Sequence, residues 1–189
     1  MTTVIYNLEG YLNRDVALFH RGDSATFKVS AAAAAAGWSG GTFMKWVDDG
    51  SGEPTLGIAD GRYCGFAAFG SDEPGDRFTA MTGQNPHYRY AALYFGGNFL
   101  ATRTYEKYTY ASRHSGPLVP LSYHAQQFLY VSENGKLTPE DESDVAVNAS
   151  GEFPDGSPIT ERFLFFGLCA VPPSSKTNGY VYVQTNVGV

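Results

Sequence analysis

Residues 163–189 (FLFFGLCAVPPSSKTNGYVYVQTNVGV) restrict the fold more than any other stretch of the chain. Residues 163–171 are almost wholly apolar, as a strand buried on both faces would be, although apolarity alone does not separate such a strand from a helix. Pro172 and Pro173 end the run, because proline has no N–H to give to a sheet ladder. Residues 174–179 carry turn chemistry, with Asn178-Gly179 tolerant of positive φ. Residues 180–187 then alternate. Val181, Val183, Thr185 and Val187 fall on one face, and Tyr180, Tyr182, Gln184 and Asn186 on the other. Period-two alternation of β-branched and aromatic side chains specifies a half-buried strand. Strand, turn and strand together predict a hairpin, and it contains no acid and no histidine.

Short runs of the same kind recur along the chain. Residues 2–12, 16–29, 42–47, 55–59, 63–69, 78–81 and 126–132 read as strands, divided by turns such as Asn13-Arg14-Asp15, Asp60-Gly61 and Asn134-Gly135. Residues 88–110 read as a tyrosine-rich hairpin turning at Gly96-Gly97-Asn98, with Tyr90, Ala92 and Tyr94 on one face and Ala91, Leu93 and Phe95 on the other. Ser30 followed by six alanines and Gly37 predicts a short helix with a cap at each end, or else a strand or linker of small residues. The expected fold is therefore all-β: a barrel or sandwich of short antiparallel strands with at most one short helix. At 189 residues it is expected to form one β-rich domain, residues 1–189, with an optional N-terminal arm of about residues 1–36.

The C-terminal run Gly179-Tyr180-Val181-x-Val183-Gln184-Thr185-x-Val187, preceded by an apolar strand and a small-residue turn, resembles the C-terminal hairpin of bacteriophage virion structural proteins. These are the small β proteins that decorate or cement capsids, and related tail components. The resemblance covers about the last thirty residues of the 189. It implies a capsid decoration protein that stabilises a phage head through many subunit contacts. The implied location is the virion, after synthesis in the host cytoplasm. The implied partners are capsid or other virion proteins and copies of the chain itself, as a homo-oligomer.

Charge and targeting patterns are compatible with that expectation. A net charge of −6 disfavours nucleic-acid phosphates and anionic membranes as main partners. Residues 1–12 lack the basic-then-apolar pattern of a secretory signal, and no apolar run approaches the ~20 residues of a membrane helix. Cys64 and Cys169 both sit in apolar contexts and read as buried free thiols. Residues 133–155 hold seven acids against the single Lys136 and read as an exposed, outward-facing loop.

Few residue patterns suggest chemistry. Gly37-Trp38-Ser39-Gly40-Gly41 matches the G-x-S-x-G of a nucleophile elbow, but the elbow needs strand before and helix after, the reverse of the order here. His20, His87, His114 and His124 show no metal spacing, although His114 and His124 flank a proline-containing loop where a carboxylate could join them. Asp141-Glu142-Ser143-Asp144 lacks the glycine spacing of a Ca²⁺ loop and reads as a solvated turn. No catalytic, cofactor-binding or metal residues are expected, and the chain is not expected to be an enzyme. Tyr90, Tyr94, Tyr105 and Tyr108 are the expected interface, since tyrosine offers broad contact area with a polar tip. A carbohydrate-binding module, a tail or fibre component and, last, a small hydrolase are the alternatives.

Overall fold

A computed structural model of the chain describes residues 16–18, 24–72, 79–80, 87–94, 99–114, 116–141 and 165–185. Among them, twelve strands form two six-stranded sheets. The first sheet runs β1 (Val16–Leu18), β8 (Phe99–Thr102), β12 (Val181–Gln184), β11 (Phe165–Val171), β9 (Phe128–Val131), β10 (Leu137–Thr138), with every pairing antiparallel. The second runs β3 (Phe43–Val47), β4 (Thr55–Ile58), β2 (Ser24–Val29), β7 (Tyr90–Tyr94), β5 (Gly65–Ser71), β6 (Thr79–Ala80). Strand β3 also pairs with β5, so five of these strands close into a barrel, and β6 extends β5 beyond the closure. Closure removes free strand edges. The all-β class holds, with one parallel pair, β2 with β4, inside the barrel.

The C-terminal hairpin forms as expected and occupies the middle of the first sheet, but β11 is not buried on both faces. Gly167 and Cys169 are buried, whereas Phe165, Phe166, Leu168 and Ala170 are half-buried and Val171 is exposed, because only one face of the sheet packs on the barrel. Val181, Val183 and Cys169 are fully buried, and Tyr182 lies on the opposite, half-buried face. The turn between the strands is one turn of 3₁₀ helix, Ser175–Thr177, held by reciprocal hydrogen bonds between Ser174 and Thr177. Asn178 then adopts the left-handed conformation at φ 51°. The Asn134-Gly135 turn also forms, between β9 and β10, with Ser132 N–H donating to the Lys136 carbonyl.

Two expected hairpins do not form. Asp60-Gly61 does not fold β4 back onto β5; both strands instead flank β3, one on each side. Gly96-Gly97-Asn98 lies outside the described residues, and the strands beside it, β7 and β8, belong to different sheets. The alternation within β7 is present, since Ala91 and Leu93 are fully buried in the barrel core. Which strand they pair with depends on distant segments, and turn residues carry no information about that.

The alanine run forms helix α1 (Ala31–Ala36). The Ser30 hydroxyl accepts from Ala33 N–H, and Gly37 follows at φ 81°, a conformation that only glycine adopts without strain. Six residues are too few to hold a helix alone; Ala33 is buried in the barrel core and supplies the support. Residues 24–36 thus belong to the barrel and not to an N-terminal arm, while residues 1–15 lie outside the described set. A second short helix, α2 (Tyr110–His114), stands where the sequence suggested the end of a long strand.

One core spans both sheets. Phe43 and Phe66 from the barrel pack with Leu129, Val131, Val181 and Val183 from the first sheet. A second cluster, including Val29, Met44, Leu56 and Leu93, fills the barrel. Each such side chain, fully buried, contributes about 1.5–3 kcal/mol. The Asn134-Gly135 turn locks the seam, since Phe43 N–H donates to the Gly135 carbonyl at 2.8 Å. Gly135 has φ 65°, and a Cβ there would lie 2.6 Å from the Phe43 carbonyl oxygen. Gly135→Ala is therefore expected to destabilise by about 1–3 kcal/mol, read by urea unfolding; an unchanged midpoint would mean the turn can move off β3 freely.

Candidate functional site

The most concentrated group of charges lies at the seam, beside α2. After β8 the chain crosses to the far side of the first sheet. Leu137 N–H donates to the Thr104 carbonyl, and Glu106 N–H donates to the Leu137 carbonyl. This crossing delivers Glu106 beneath the β9–β10 turn. Helix α2 brings Arg113, the turn brings Glu133, and the chain after β10 brings Glu140. Arg113 reaches all three carboxylates: Glu133 at 2.9 Å, Glu140 at 3.6 Å and Glu106 at 3.7 Å. The arginine side chain is only 12% exposed.

Each carboxylate has further donors. Glu106 accepts from the Ser132 hydroxyl and the Asn134 side-chain amide. Glu140 accepts from Tyr110 N–H at the start of α2 and from the Thr138 hydroxyl. Burial pushes the Glu140 carboxyl above its ordinary value; the Tyr110 N–H and the Arg113 charge oppose that shift. The Tyr123 phenol is driven well up by burial and by the neighbouring Glu106 charge, while its hydroxyl donates to the Glu106 and Leu137 carbonyls. Three carboxylates on one guanidinium leave two negative charges uncompensated within the group, and burial makes each of them costly.

Over this cluster the two sheets leave a trough. Its middle section, about 580 Å³, is lined by Tyr105, Tyr108, Glu106, Arg113, Asn134 and Lys136, with Ile58 and the end of α1 opposite. A second section of about 400 Å³ shares Tyr105 and Lys107 with the first and continues to Tyr123 and Ser174. A third of about 410 Å³ shares Asn134, Lys136 and Ile58 and continues to Ser39 and His87. Concavities between packed units are the usual place for ligands.

The residues singled out by sequence scatter over the molecule. Ser39 lies in the glycine-rich turn before β3, with its hydroxyl 3.2 Å from that of Thr104 and 3.5 Å from that of Thr42. Its neighbour Trp38 is buried and donates to the Tyr88 carbonyl. His114 stacks on Tyr110 with ring centroids 4.2 Å apart, and its Nε2 lies 3.6 Å from Glu133. His114 thus meets a carboxylate, while His124 lies exposed in the turn before β9. His20 and residues 142–144 of the acidic run lie outside the described residues. Among the described residues no group of three or more acids, histidines or cysteines is placed to hold a metal ion, and no helix is long and apolar enough to cross a membrane.

Tyr90 and Tyr94 stand on β7 of the barrel, and Tyr105 and Tyr108 line the trough. Two expectations need correction. The acidic stretch does not simply face outward, because Glu133 and Glu140 turn in to Arg113; its remainder from residue 142 lies outside the described set. Cys64 is half-buried and not fully enclosed, although both cysteines are free as expected. Burial pushes both thiols up to about 11, which keeps them protonated and unreactive at neutral pH. The Arg113 cluster itself was missed. Its members are 34 positions apart in sequence, and only the charge surplus around residue 140 hinted at it.

No protein-family model, curated protein or solved structure matches the chain.

Proposed function

We propose that this chain is a structural subunit of a phage particle, a decoration or cement protein bound to the capsid and to copies of itself. The observation that carries the proposal is the outer face of the first sheet, the face turned away from the barrel. Phe128 on β9 is 56% exposed there. Phe165 on β11 packs edge-on against Phe128 at 5.5 Å and against Tyr130 at 6.1 Å. The row lies on β11, the first strand of the phage-like hairpin, and on β9 beside it. Exposed aromatic side chains gathered on one sheet face favour association, and aromatic residues are enriched at such contacts. Leu118 and Val119, both exposed in the segment between Pro117 and Pro120, add further uncovered apolar surface.

A decoration contact of on the order of 1,000 Å², repeated over many copies, is enough for firm attachment. Phe128→Asp places a charge in the middle of the proposed contact. It is expected to weaken co-sedimentation with capsids at least tenfold, the loss typical of a contact worth about 1.4 kcal/mol or more. Because the ring is partly exposed, the same change should cost only about 1–2 kcal/mol of folding stability, from the Phe165 contact and from the poor strand propensity of Asp. A purified protein that stays monomeric and sediments with no particle removes the proposal.

A further inference from the structure

The trough over the Arg113 cluster is independent of the sheet face assigned to capsid contact, and its chemistry specifies a ligand. Its three sections join at Tyr105 with Lys107 and at Asn134 with Lys136. A ligand following it would be elongated. We infer that the trough binds an uncharged oligosaccharide chain, laid across Tyr105 and Tyr108.

Charge decides against the polyanions. Beneath the floor, Glu106, Glu133 and Glu140 against Arg113 leave two negative charges. Along the rim, Lys107 and Lys136 supply two positive ones, and neither lysine has an ion-pair partner among the described residues. The trough therefore has no net charge of either sign to attract a phosphate or uronate chain, and the whole molecule at −6 repels both.

Hydrogen bonding decides against an extended peptide. A peptide docks on a sheet through free main-chain groups at a strand edge. Along the trough wall several of those groups are already taken, the Tyr108 carbonyl by Arg113 among them. Glu106 N–H is held by Leu137, Thr109 N–H by Val119, and the Lys107 carbonyl by Leu121. What the wall offers is side chains. The half-buried rings of Tyr105, set edge-to-face against Tyr123, and of Tyr108 supply apolar lining, and hydroxyl, amide and ammonium groups come from Ser39, Ser174, Asn134, Lys107 and Lys136. Asn134 is held in place, because its amide donates to both Glu106 and Glu133, leaving its carbonyl oxygen as an acceptor at the junction of two sections. Aromatic lining with surrounding side-chain donors and acceptors matches a sugar ring, whose faces carry C–H groups and whose edge carries hydroxyls.

The test is affinity electrophoresis and calorimetry of the full chain with cello-, xylo- and manno-hexaose and their polymers, beside polygalacturonate and a single-stranded oligonucleotide. At least one neutral glycan is expected to bind, with little dependence on salt. Tyr105→Ala and Tyr108→Ala should each weaken it at least tenfold, as truncation of an aromatic anchor does, while Tyr90→Ala on the barrel leaves it unchanged. Circular dichroism checks that each variant folds. Should either tyrosine variant misfold, acylation of the wild-type protein decides the matter: the bound glycan should shield Lys107 and Lys136 and leave Lys28 and Lys45 reactive. Failure of every neutral glycan to bind, tighter binding of either polyanion, or binding that ignores both trough tyrosines and both lysines overturns the inference. Capsid attachment is read separately by sedimentation, so the two assignments fail independently.

Discussion

Arg113→Met is expected to destabilise the protein by about 3–5 kcal/mol at neutral pH, the usual cost of removing one partner from a buried ion cluster. The guanidinium touches Glu106, Glu133 and Glu140 and also donates to the Tyr108 carbonyl. Methionine fills much of the same volume, so lost packing is a minor part of the cost. What remains is three carboxylates close together with no cation among them, and like charges at short range raise one another's pKa. The pH dependence follows from Glu140, whose carboxyl already lies above its ordinary value of 4.5 because burial outweighs the Tyr110 N–H and Arg113. Removing Arg113 takes away one of three opposing influences, the others being the Tyr110 N–H and the Thr138 hydroxyl, and raises it further. A carboxyl raised in the folded state is penalised above its folded pKa. That penalty is relieved as pH falls through the folded pKa, and it is gone below the unfolded value. The gap between variant and wild type should therefore be widest at neutral pH and close as pH falls toward 4.5. Urea unfolding across that range measures it. A variant as stable as wild type at neutral pH, or a gap that widens in acid, would show that Arg113 does not hold the cluster together.

Local patterns were legible in the sequence, and partnership was not. The C-terminal hairpin was readable because period-two alternation, paired prolines and an Asn-Gly turn all act within a few residues. The capped alanine helix was readable for the same reason, through Ser30 and Gly37. The closure of the barrel was hidden. It depends on β3 pairing with both β4 and β5, and a strand that serves two neighbours carries no different residue pattern from one that serves a single neighbour. Strand β7 shows the limit most clearly. Its inward face was evident from Ala91 and Leu93, yet its separation from β8 undid the tyrosine hairpin. The trough shares that origin. Tyr105 reaches it only because the chain after β8 crosses to Leu137, a long-range choice made by the packing of two sheets.

Phe43→Ala should be among the most damaging single changes in the apolar core, at about 3–5 kcal/mol. Phe43 is fully buried, and its ring meets Phe166 of the first sheet at 4.7 Å, Tyr63 at 5.2 Å and Phe66 of the barrel at 5.8 Å. Edge-to-face aromatic contacts add about 0.5–1.5 kcal/mol each beyond the area they bury. Most core truncations are softened when neighbours relax into the space left behind. Here the neighbours stand on two separate sheets, and the backbone of Phe43 is itself tied to both sides, donating to Gly135 and accepting from Ala59 N–H. Neither sheet can close on the cavity without breaking those bonds, so the full cavity cost is expected to remain. For a chain of this length the melting temperature should fall by on the order of 10 °C. The contrast with Phe128→Ala is the sharper measurement, because that ring has the same size and lies mostly in solvent. If the two sheets were separate folding units, removing Phe43 would lower one of two transitions and leave the other in place. A shared core requires instead that a single transition persist and move as a whole.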